Sequence, residues 1–382
     1  MLAMVAPSVT TRAATADADF PRLIAYIGTY TGPKSEGIYA FRVDARTGAT
    51  EPLGCVARAV HPSFLALHPG GRFLYAVSEV NASADVPGGS VLAFAVDRKT
   101  GKLSLLNQQA SGGAGPCHLT VDKTGRHVLV ANYSGGSVAV LPIREDGSLG
   151  AATCVAQHQG ASAHPQRQRQ PHVHSVNLAP DNRYALVADL GTDHVMVYRF
   201  DAARGVLETP AAQVFKTPPG SGPRHLAFHP GGRRVLVLNE LSSTLMLLDY
   251  DPATGRLAPL QTVSTLPEDF SGENTTAEVA VHPNGRWVFA SNRGHDSLAV
   301  FALDPAVQRL ERLDHVSTRG STPRHFALDP AGRFLWAANQ ATHNLVLFRV
   351  DEATGRLQPT GQTHEVGSPV CIRFLPGEAP GN

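Results

Sequence analysis

Apolar residues alternate with polar ones along most of the chain, and Pro, Gly and Asp interrupt the alternation at short intervals. The stretch "GPRHLAFHPGGRRVLVLNE" (222–240) has two alternating apolar runs joined by a Pro-Gly-Gly turn. A period of two residues is typical of β-strands, and two such runs around a Gly-rich turn are typical of a hairpin. The pattern predicts a series of hairpins, and no long stretch has helical periodicity.

The hairpin unit recurs along the chain, and an arginine in its turn marks each copy. These arginines are 47 to 57 residues apart: Arg72, Arg126, Arg183, Arg233, Arg286 and Arg333. Each unit is followed by another alternating run, such as "TLMLLDYDPATG", and then by a short fourth strand. Repeats of about 50 residues with four short strands are typical of propeller blades.

A seventh copy is divided between the two ends of the chain. "PRLIAYIGTY" near the N-terminus supplies the second strand of the unit, and "SPVCIRFLPG" (368–377) supplies the missing first strand. We therefore predict an all-β fold, a seven-bladed β-propeller with four antiparallel strands per blade, whose ring is closed by a blade shared between the N- and C-termini. The predicted boundaries are a tail at residues 1–22 and a single propeller domain at 23–377.

Composition excludes several classes of partner. The 382 residues are 42% hydrophobic and 17% charged, and the net charge is +1. A nearly neutral chain does not suggest nucleic-acid binding, and no apolar run approaches the roughly 20 residues that cross a bilayer. The four scattered cysteines have no CxxC spacing, which argues against a disulfide framework and a zinc site. We expect neither a nucleic-acid nor a membrane partner.

The N-terminal stretch "MLAMVAPSVTTRAATADADFPRL" leaves the location of the protein open. It can be a flexible cytoplasmic tail or the relic of an export signal, because "ATADA" resembles a small-residue cleavage region while a charged start is missing. We expect a cytoplasmic protein, with a periplasmic one as the alternative if the tail is a signal relic.

Two positions of the repeat vary where the rest is regular. Seven residues after the turn arginine stand Thr29, Glu79, Tyr133, Leu190, Glu240, Arg293 and Gln340. Nine residues before it stand Ser63, Cys117, His174, Arg224, Ala277 and Arg324, with Val370 in the divided copy. A hairpin brings its two open ends together, so the charged exceptions should converge at one mouth of the ring and form a ligand site. These candidates are Glu79, His174, Arg224, Glu240, Arg293 and Arg324.

Histidines form a second group of candidates. His118, His225 and His325 share one repeat position, which favours a role in blade architecture, but His118 and His225 also enter the predicted substrate-binding set. His172 joins that set because it lies near the mouth, after the polar insertion "QHQGASAHPQRQRQPH" that could fold over it. The spacing of His158, His164, His172 and His174 is not diagnostic of a metal site, and we expect no metal.

The segments "YIGTYT", "PHVHS", "GPRHLAFHPGG" with its following "NE", and "SNRGHDSLAVF" together resemble the seven-bladed lactonase family, over about residues 25–375. This family includes the bacterial propeller-type 6-phosphogluconolactonases and the fungal carboxy-cis,cis-muconate lactonizing enzymes. The resemblance implies a cofactor-free site in which His174, Arg224, Glu240 and Arg293 are catalytic. The repeat register selects the same four residues, and Arg324 joins them as an anion contact.

The resemblance implies hydrolysis of 6-phospho-D-glucono-1,5-lactone to 6-phospho-D-gluconate, so the expected partner is a small anionic sugar lactone. Lactone opening needs an activated water, a stabiliser for the oxyanion and a proton for the leaving alkoxide. Glu240 and His174 are both candidates for the base, and the sequence does not decide between them. Arginines suit the oxyanion and the phosphate because guanidinium groups are always charged and bind oxygens in pairs. Without a GxSxG motif, covalent catalysis is disfavoured.

Two other functions remain open at this point. One is a cycloisomerase that closes a carboxymuconate to a lactone, which needs a general acid and arginines that bind carboxylates. The other is an exported propeller that binds a ligand without catalysis, since "VLVANYSGGSVAVL" also resembles repeats of bacterial surface-layer propellers. We expect a monomer or a weak homodimer.

Overall fold

The computed structural model describes residues 22–82, 88–304 and 309–377, and its regular secondary structure within these ranges is entirely β. These ranges contain no α-helix, and so none that is long and apolar enough to cross a membrane. The predicted tail at residues 1–22 lies outside the described residues, apart from Arg22 itself.

The described strands form seven four-stranded sheets, which we number as blades 1 to 7. Blade 1 contains β1 (Arg22–Thr29), β2 (Gly37–Asp44) and β3 (Thr50–Arg58). Blade 2 contains β4 (Leu65–Leu67), β5 (Phe73–Ser78), β6 (Ser90–Val96) and β7 (Leu103–Ala110), and blade 3 contains β8 (Pro116–Val121), β9 (His127–Asn132), β10 (Ser137–Pro142) and β11 (Cys154–Gln157). Blade 4 contains β12 (Val173–Leu178), β13 (Tyr184–Asp189), β14 (His194–Asp201) and β15 (Val206–Lys216), and blade 5 contains β16 (Pro223–Phe228), β17 (Arg234–Asn239), β18 (Thr244–Tyr250) and β19 (Leu257–Ser264). Blade 6 contains β20 (Thr275–Val281), β21 (Trp287–Arg293), β22 (Ser297–Asp304) and β23 (Arg309–Ser317), blade 7 contains β24 (Pro323–Leu328), β25 (Phe334–Asn339), β26 (Asn344–Val350) and β27 (Leu357–Glu365), and β28 (Pro369–Leu375) completes blade 1.

The seven blades close into a ring, as the repeat predicts. All paired strands are antiparallel, and in each sheet the strand that precedes the Gly-Arg turn lies innermost. Each innermost strand packs against the innermost strand of the next blade, from β4 round to β28 and back to β4. The prediction of a seven-bladed propeller with four antiparallel strands per blade is confirmed.

The ring closes through the divided blade. Strand β28, at the end of the chain, pairs with β1, at its beginning, so that Ile24 lies opposite Leu375 and Ile27 opposite Ile372. The side chains of Ile27 and Ile372 are fully buried. The C-terminal segment therefore supplies core side chains and backbone hydrogen bonds to the N-terminal blade, and it pairs the edge of β1 that would otherwise be open.

The apolar runs of the second strands are explained by packing between blades. In β17, Val235 and Val237 pack toward blade 4, whereas Leu236 and Leu238 pack toward blade 6. Both faces of this strand are buried, so the run is continuously apolar although its side chains alternate in direction. The fourth strand of the same blade, β19, lies at the outside and alternates between half-buried and exposed residues.

Histidines on the turn side of the ring join neighbouring blades. The Nδ1 atom of His229 accepts a hydrogen bond from the Gly231 amide, and its Nε2–H therefore donates to the carbonyl of Gly285 in blade 6, over 3.0 Å. Gly285 has φ of 75°, and a Cβ atom there would lie 2.6 Å from Nε2 of His229. The turn glycine is thus required by its backbone conformation and by the approach of the neighbouring histidine. His68 and His282 make the same contact to Gly125 and Gly332.

A β-bulge determines which side chains face the channel at the opposite end of the inner strands. In six of the seven innermost strands the pairing register shifts by one residue at the position nine before the turn arginine. In β16, Pro223 pairs with Asn239 and His225 with Leu238, so Arg224 is the extra residue. A bulge redirects the side chain at the extra position. Arg224 and its neighbour His225 consequently both line the recess at the centre of the ring.

Candidate active site

Glu240 is the centre of the charged cluster at the mouth. It follows β17, and its side chain is buried. Oε2 accepts a hydrogen bond from Nε of Arg224 over 2.9 Å and forms an ion pair with Nη2 of Arg293 at 3.0 Å, while Oε1 accepts a hydrogen bond from Nη2 of Arg167 over 2.7 Å. Burial alone would raise the pKa of Glu240, but Arg293, Arg224 and Arg167 outweigh it and lower the pKa to about 2. The carboxylate is therefore ionised, and both oxygens are occupied by guanidinium groups.

Arg224 is fixed from several sides. Its Nη1 donates to the carbonyl of Ala277 in the next blade and lies 3.2 Å from Nε2 of His225. Burial and the charge of Arg324 lower the pKa of Arg224, and the carboxylate of Glu240 opposes that shift. Because a guanidinium group is planar and always charged in proteins, these contacts define both its position and its plane.

His174 reaches the same cluster from blade 4. It is the extra residue of the bulge in β12, and its buried ring places Nε2 3.9 Å from Oε2 of Glu240. Its Nδ1 lies 3.9 Å from Sγ of Cys117. Burial, followed by the positive charge of Arg224, holds the pKa of His174 well below its ordinary value of 6.5. The imidazole is therefore neutral at neutral pH and has a nitrogen able to accept a proton.

Arg324 and Glu79 form a second charged group across the opening. Nη2 of Arg324 donates to the hydroxyl of Tyr30 over 3.1 Å, and its guanidinium lies over the Tyr30 ring, 5.4 Å from the centroid. The Tyr30 hydroxyl in turn donates to Oε2 of Glu79 over 2.8 Å, and Ser63 Oγ donates to the same oxygen. Burial lowers the pKa of Arg324, but its interactions with Tyr30 and with the carboxylates Glu79 and Glu240 raise it above its ordinary value.

These two groups enclose one cavity of about 320 Å³. It is lined by Glu79, Cys117, Tyr133, Arg167, His174, Glu240, Thr275, Arg293 and Arg324. A narrow recess continues below it to Arg224, His225 and Tyr30. The volume is within the range of about 300–1,000 Å³ that is usual for small-molecule sites. A larger groove of about 1100 Å³ lies between β19 and β23 at the perimeter, and none of the residues selected from the sequence line it.

The structure brings together the four predicted catalytic residues, His174, Arg224, Glu240 and Arg293. Of the predicted substrate-binding residues, Arg324 and Glu79 line the cavity and His225 lines the recess. The other two, His172 and His118, are not among the described residues that line either space. For these two, a role in substrate binding stays a prediction, and the structure gives them the packing described next.

His172 supports the wall of the cavity. Its ring stacks on that of Tyr133, with centroids 4.4 Å apart and an angle of 17°, and its Nδ1 lies 3.1 Å from the Tyr133 carbonyl oxygen. His118 lies in the layer beneath, where its ring packs on Phe64 at 4.1 Å between centroids. Burial lowers the pKa of His118 well below 6.5. Both histidines hold the site from behind.

A carboxylate orders the rest of that lower layer. Oε2 of Glu278 lies 3.0 Å from Nδ1 of His225 and 3.1 Å from Nε2 of His325. Nη1 of Arg373 lies 3.2 Å from the same Nε2 atom of His325. Since the other ring nitrogen of His225 contacts Arg224, a continuous polar chain runs from Glu278 to the arginine that binds Glu240.

Sequence reasoning missed Arg167, Tyr133, Tyr30, Cys117 and Thr275 as cavity-lining residues. Tyr133 and Cys117 occupy the two variable repeat positions, but they were not selected because they are uncharged. Arg167 belongs to the polar insertion (157–172), so it has no equivalent position in the other copies. The sequence feature that could have indicated Arg167 is the insertion, because its residue Arg167 lies at the mouth and binds Glu240.

The histidines of that insertion have partners of other kinds. His158 lies 2.8 Å from Oδ2 of Asp189 and 3.0 Å from the Tyr198 hydroxyl, and Nδ1 of His164 accepts from the amides of residues 166 and 167. Among the residues that the structure describes, no group of three His, Cys, Asp or Glu side chains is arranged to hold a metal ion.

The described residues form a seven-bladed propeller with a charged cavity, of the size of a small-molecule site, at the mouth of its central channel. The family model "Lactonase, 7-bladed beta-propeller" matches residues 24–374, and the chain belongs to this family. The resemblance found in the sequence is thereby confirmed.

Individual relatives cover almost the whole chain. A 6-phosphogluconolactonase of Bacillus subtilis is 40% identical over 354 residues, which are 93% of this chain and 99% of the relative. A 6-phosphogluconolactonase of Formosa agariphila is 33% identical and covers 79% of this chain and 85% of the relative. The structure of a periplasmic gluconolactonase of Pseudomonas aeruginosa superposes with a TM-score of 0.85, at 38% identity, over 93% of this chain and 99% of the other.

Proposed function

We propose that the protein hydrolyses 6-phospho-D-glucono-1,5-lactone to 6-phospho-D-gluconate. Membership of the lactonase family and near full-length similarity to a 6-phosphogluconolactonase support lactone hydrolysis. The observation that carries the proposal is the charge around one small cavity. Among the described residues of the cavity and its recess, four guanidinium groups face two carboxylates, Glu79 and Glu240, which leaves two positive charges in excess. This excess matches a phosphate monoester, which carries about −1.5 to −2 charges at pH 7.

His174 is the better candidate for the general base. A base must be unprotonated and have a free lone pair, and a neutral buried imidazole meets both conditions. Glu240 has a pKa of about 2, and its oxygens accept hydrogen bonds from Arg224 and Arg167 and form an ion pair with Arg293, so it is a weak base with little room for water. Its role in the proposal is to hold the arginines and to stabilise the imidazolium that forms 3.9 Å away.

The reaction then follows from these positions. His174 takes a proton from a water molecule as the water oxygen attacks C1 of the lactone. The negative charge that develops on the former carbonyl oxygen is stabilised by the arginines of the cavity, which need no reorganisation because the protein already holds them in place. When the bond between C1 and the ring oxygen breaks, the imidazolium returns the proton to the leaving alkoxide, and the open-chain acid is formed.

Two other substrates are the alternatives to be tested. Unphosphorylated D-glucono-1,5-lactone is favoured by the similarity to a periplasmic gluconolactonase. A carboxymuconate would use the same arginines for its carboxylates, with ring closure instead of hydrolysis. We also propose that the protein is cytoplasmic, with a periplasmic location as the alternative. We propose that it is a monomer or a weak homodimer.

Comparison of the three substrates with purified protein tests the proposal. The expected result is hydrolysis of the phosphorylated lactone well above the spontaneous rate, with a higher kcat/KM than for glucono-1,5-lactone. Arg324→Gln should lower kcat/KM by about 10²–10³-fold, the usual effect of removing one oxyanion donor. Turnover of the muconate alone would establish the cycloisomerase. No turnover of any of the three would favour a binding protein.

A further inference from the structure

The loop that carries Arg167 is held in a defined conformation. It connects β11 to β12, and its residue Gln168 is fully buried. Gln168 donates from Nε2 to the carbonyl of Leu190 over 2.8 Å, and its Oε1 accepts from the His164 amide over 2.8 Å. The Arg167 amide donates to Nδ1 of His164 over 3.1 Å. These contacts fix the backbone at Arg167, so its side chain is directed at the mouth.

Arg167 differs from the other two arginines that bind Glu240. Its side chain is 38% exposed, against 3% for Arg224 and 12% for Arg293. Arg224 and Arg293 also donate to the carbonyls of Ala277 and Thr276, which fixes them to blade 6. Within the described part of the chain, the side chain of Arg167 donates only to Glu240 and to the Tyr133 hydroxyl. It is therefore the arginine of this group that can most readily exchange a partner.

The balance of charge around Glu240 also indicates that Arg167 is available to bind a ligand anion. One carboxylate needs one cation, and two buried arginines already bind Oε2 of Glu240. Arg167 is a third cation on the same side chain, at its Oε1 atom. A ligand anion at the mouth would be attracted by this unbalanced charge, because Coulomb interactions are strong where solvent is partly excluded.

Arg167 also lies where two spaces meet. Together with Thr275 and Arg293 it lines both the inner cavity and an outer groove of about 720 Å³. The Nε atom of Arg293 is buried and has no hydrogen-bond partner among the described residues. A buried donor without a partner is unfavourable unless a ligand or water satisfies it. The junction thus offers two guanidinium groups, one with an unused donor, and a threonine.

We propose that Arg167, together with Arg293, binds the phosphate of the substrate and so determines the preference for phosphorylated over unphosphorylated lactones. This inference rests on the proposed function, since it assigns a part of that substrate to a part of that site. The lactone ring then lies further in, between His174 and Arg324, and the phosphate lies at the junction of the cavity and the groove. Arg167 exchanges Oε1 of Glu240 for a phosphate oxygen when the substrate binds.

The ratio of kcat/KM for 6-phospho-D-glucono-1,5-lactone to that for D-glucono-1,5-lactone measures this role. In Arg167→Ala the ratio should fall by about 10- to 100-fold, since hydrogen bonds to charged groups contribute about 1.5–3 kcal/mol. Arg167→Lys should restore part of the ratio, because it keeps the charge and loses the paired donors. Arg169→Ala is the matched control, because it removes the same charge from the same loop. Arg169 is exposed, and its side chain donates a hydrogen bond to the Pro165 carbonyl.

Competition by inorganic phosphate supplies a second measurement that does not depend on the phosphorylated substrate. With glucono-1,5-lactone as substrate, the inhibition constant of phosphate should rise at least about tenfold in Arg167→Ala and stay unchanged in Arg169→Ala. If the wild-type enzyme shows no preference for the phosphorylated lactone, the proposed substrate is refuted. The inhibition by inorganic phosphate then still tests whether Arg167 binds phosphate. Equal losses for both lactones, with unchanged inhibition by phosphate, would overturn the inference.

Discussion

Arg224 and Glu240 form a buried ion pair within a single hairpin, in which Nε donates to Oε2 over 2.9 Å although the residues are 16 positions apart. Removing one partner leaves the other charge buried, which destabilises a protein by about 3–5 kcal/mol. We expect losses of this size in the free energy of unfolding for Glu240→Gln, measured by urea denaturation at pH 7. Glu51→Gln, which breaks the exposed pair of Arg42 and Glu51, should cost no more than about 1 kcal/mol. Similar losses in the two variants would contradict this account.

The stability that Glu240 contributes should depend on pH in one direction. The pKa of Glu240 is about 2 in the folded protein, against 4.5 as its ordinary value, so the folded state favours the ionised form. The contribution is complete above pH 4.5 and is lost as the pH falls toward 2; it amounts to about 3 kcal/mol. The difference in unfolding free energy between wild type and Glu240→Gln should therefore shrink between pH 5 and pH 3. A difference that stays constant over this range would be evidence against the lowered pKa.

The pH dependence of catalysis distinguishes the two candidate bases. With His174 as base, kcat/KM should stay level from pH 8 to 6.5 and decline only at lower pH, because protonation of His174 begins well below 6.5. His174→Gln should lower kcat by about 10²–10⁴-fold, the usual contribution of a general base. Initial rates across pH 4–8, corrected for spontaneous hydrolysis, provide the measurement. If His174→Gln retains most of the wild-type kcat, the base is another group.

Glu278 is predicted to act as a positioning residue for Arg224. Oε2 of Glu278 lies 3.0 Å from Nδ1 of His225, and the other ring nitrogen of His225 contacts Arg224. Loss of the Glu278 carboxylate should therefore shift the Arg224 guanidinium without removing a group that touches the substrate. We expect Glu278→Gln to lower kcat by about 10- to 100-fold, as small misplacements do, with a much smaller change in KM. Steady-state kinetics on the variant test this. Parallel changes in kcat and KM, or none in either, would assign Glu278 to the architecture of the channel alone.

Closure of the ring makes a prediction about the C-terminus. A chain that ends at Gly367 lacks β28 and with it the buried side chains of Val370, Cys371 and Ile372. We expect this variant to lose cooperative unfolding, because β1 then loses its partner strand and the buried side chains that β28 supplies. A chain that ends at Gly377 keeps β28 and is the control. Thermal unfolding followed by circular dichroism compares the two, and equal transitions would show that the closing strand is dispensable.

The fold could be predicted from the sequence because each blade repeats the same pattern of alternating apolar strands and tight turns. Alternating runs such as "RRVLVLNE", an arginine in each turn and a spacing of 47 to 57 residues are sufficient to define hairpins, and the divided seventh copy defines closure. The mouth could be predicted for a related reason. Where a repeat is regular, departures such as Glu240 and Arg293 mark positions that the architecture does not require.

The remaining features of the site depend on geometry that the repeat does not encode. The bulge adds one residue to an otherwise ordinary strand, so the sequence gives no sign that Arg224 and His225 both face inward. Arg167 lies outside the repeat, and its direction depends on the burial of Gln168. For His172 the sequence predicts a position near the mouth, and the structure adds that its ring stacks on Tyr133, which lines the cavity.

The extra residue of each bulge has no partner in the strand ladder, which separates the chemistry of the ring from its scaffold. Replacing that one side chain in a blade alters what a bound molecule meets while the hairpin keeps its hydrogen bonds. In the six blades that have the bulge, a substitution at this position can therefore change what the channel binds without changing the strand pairing that closes the ring.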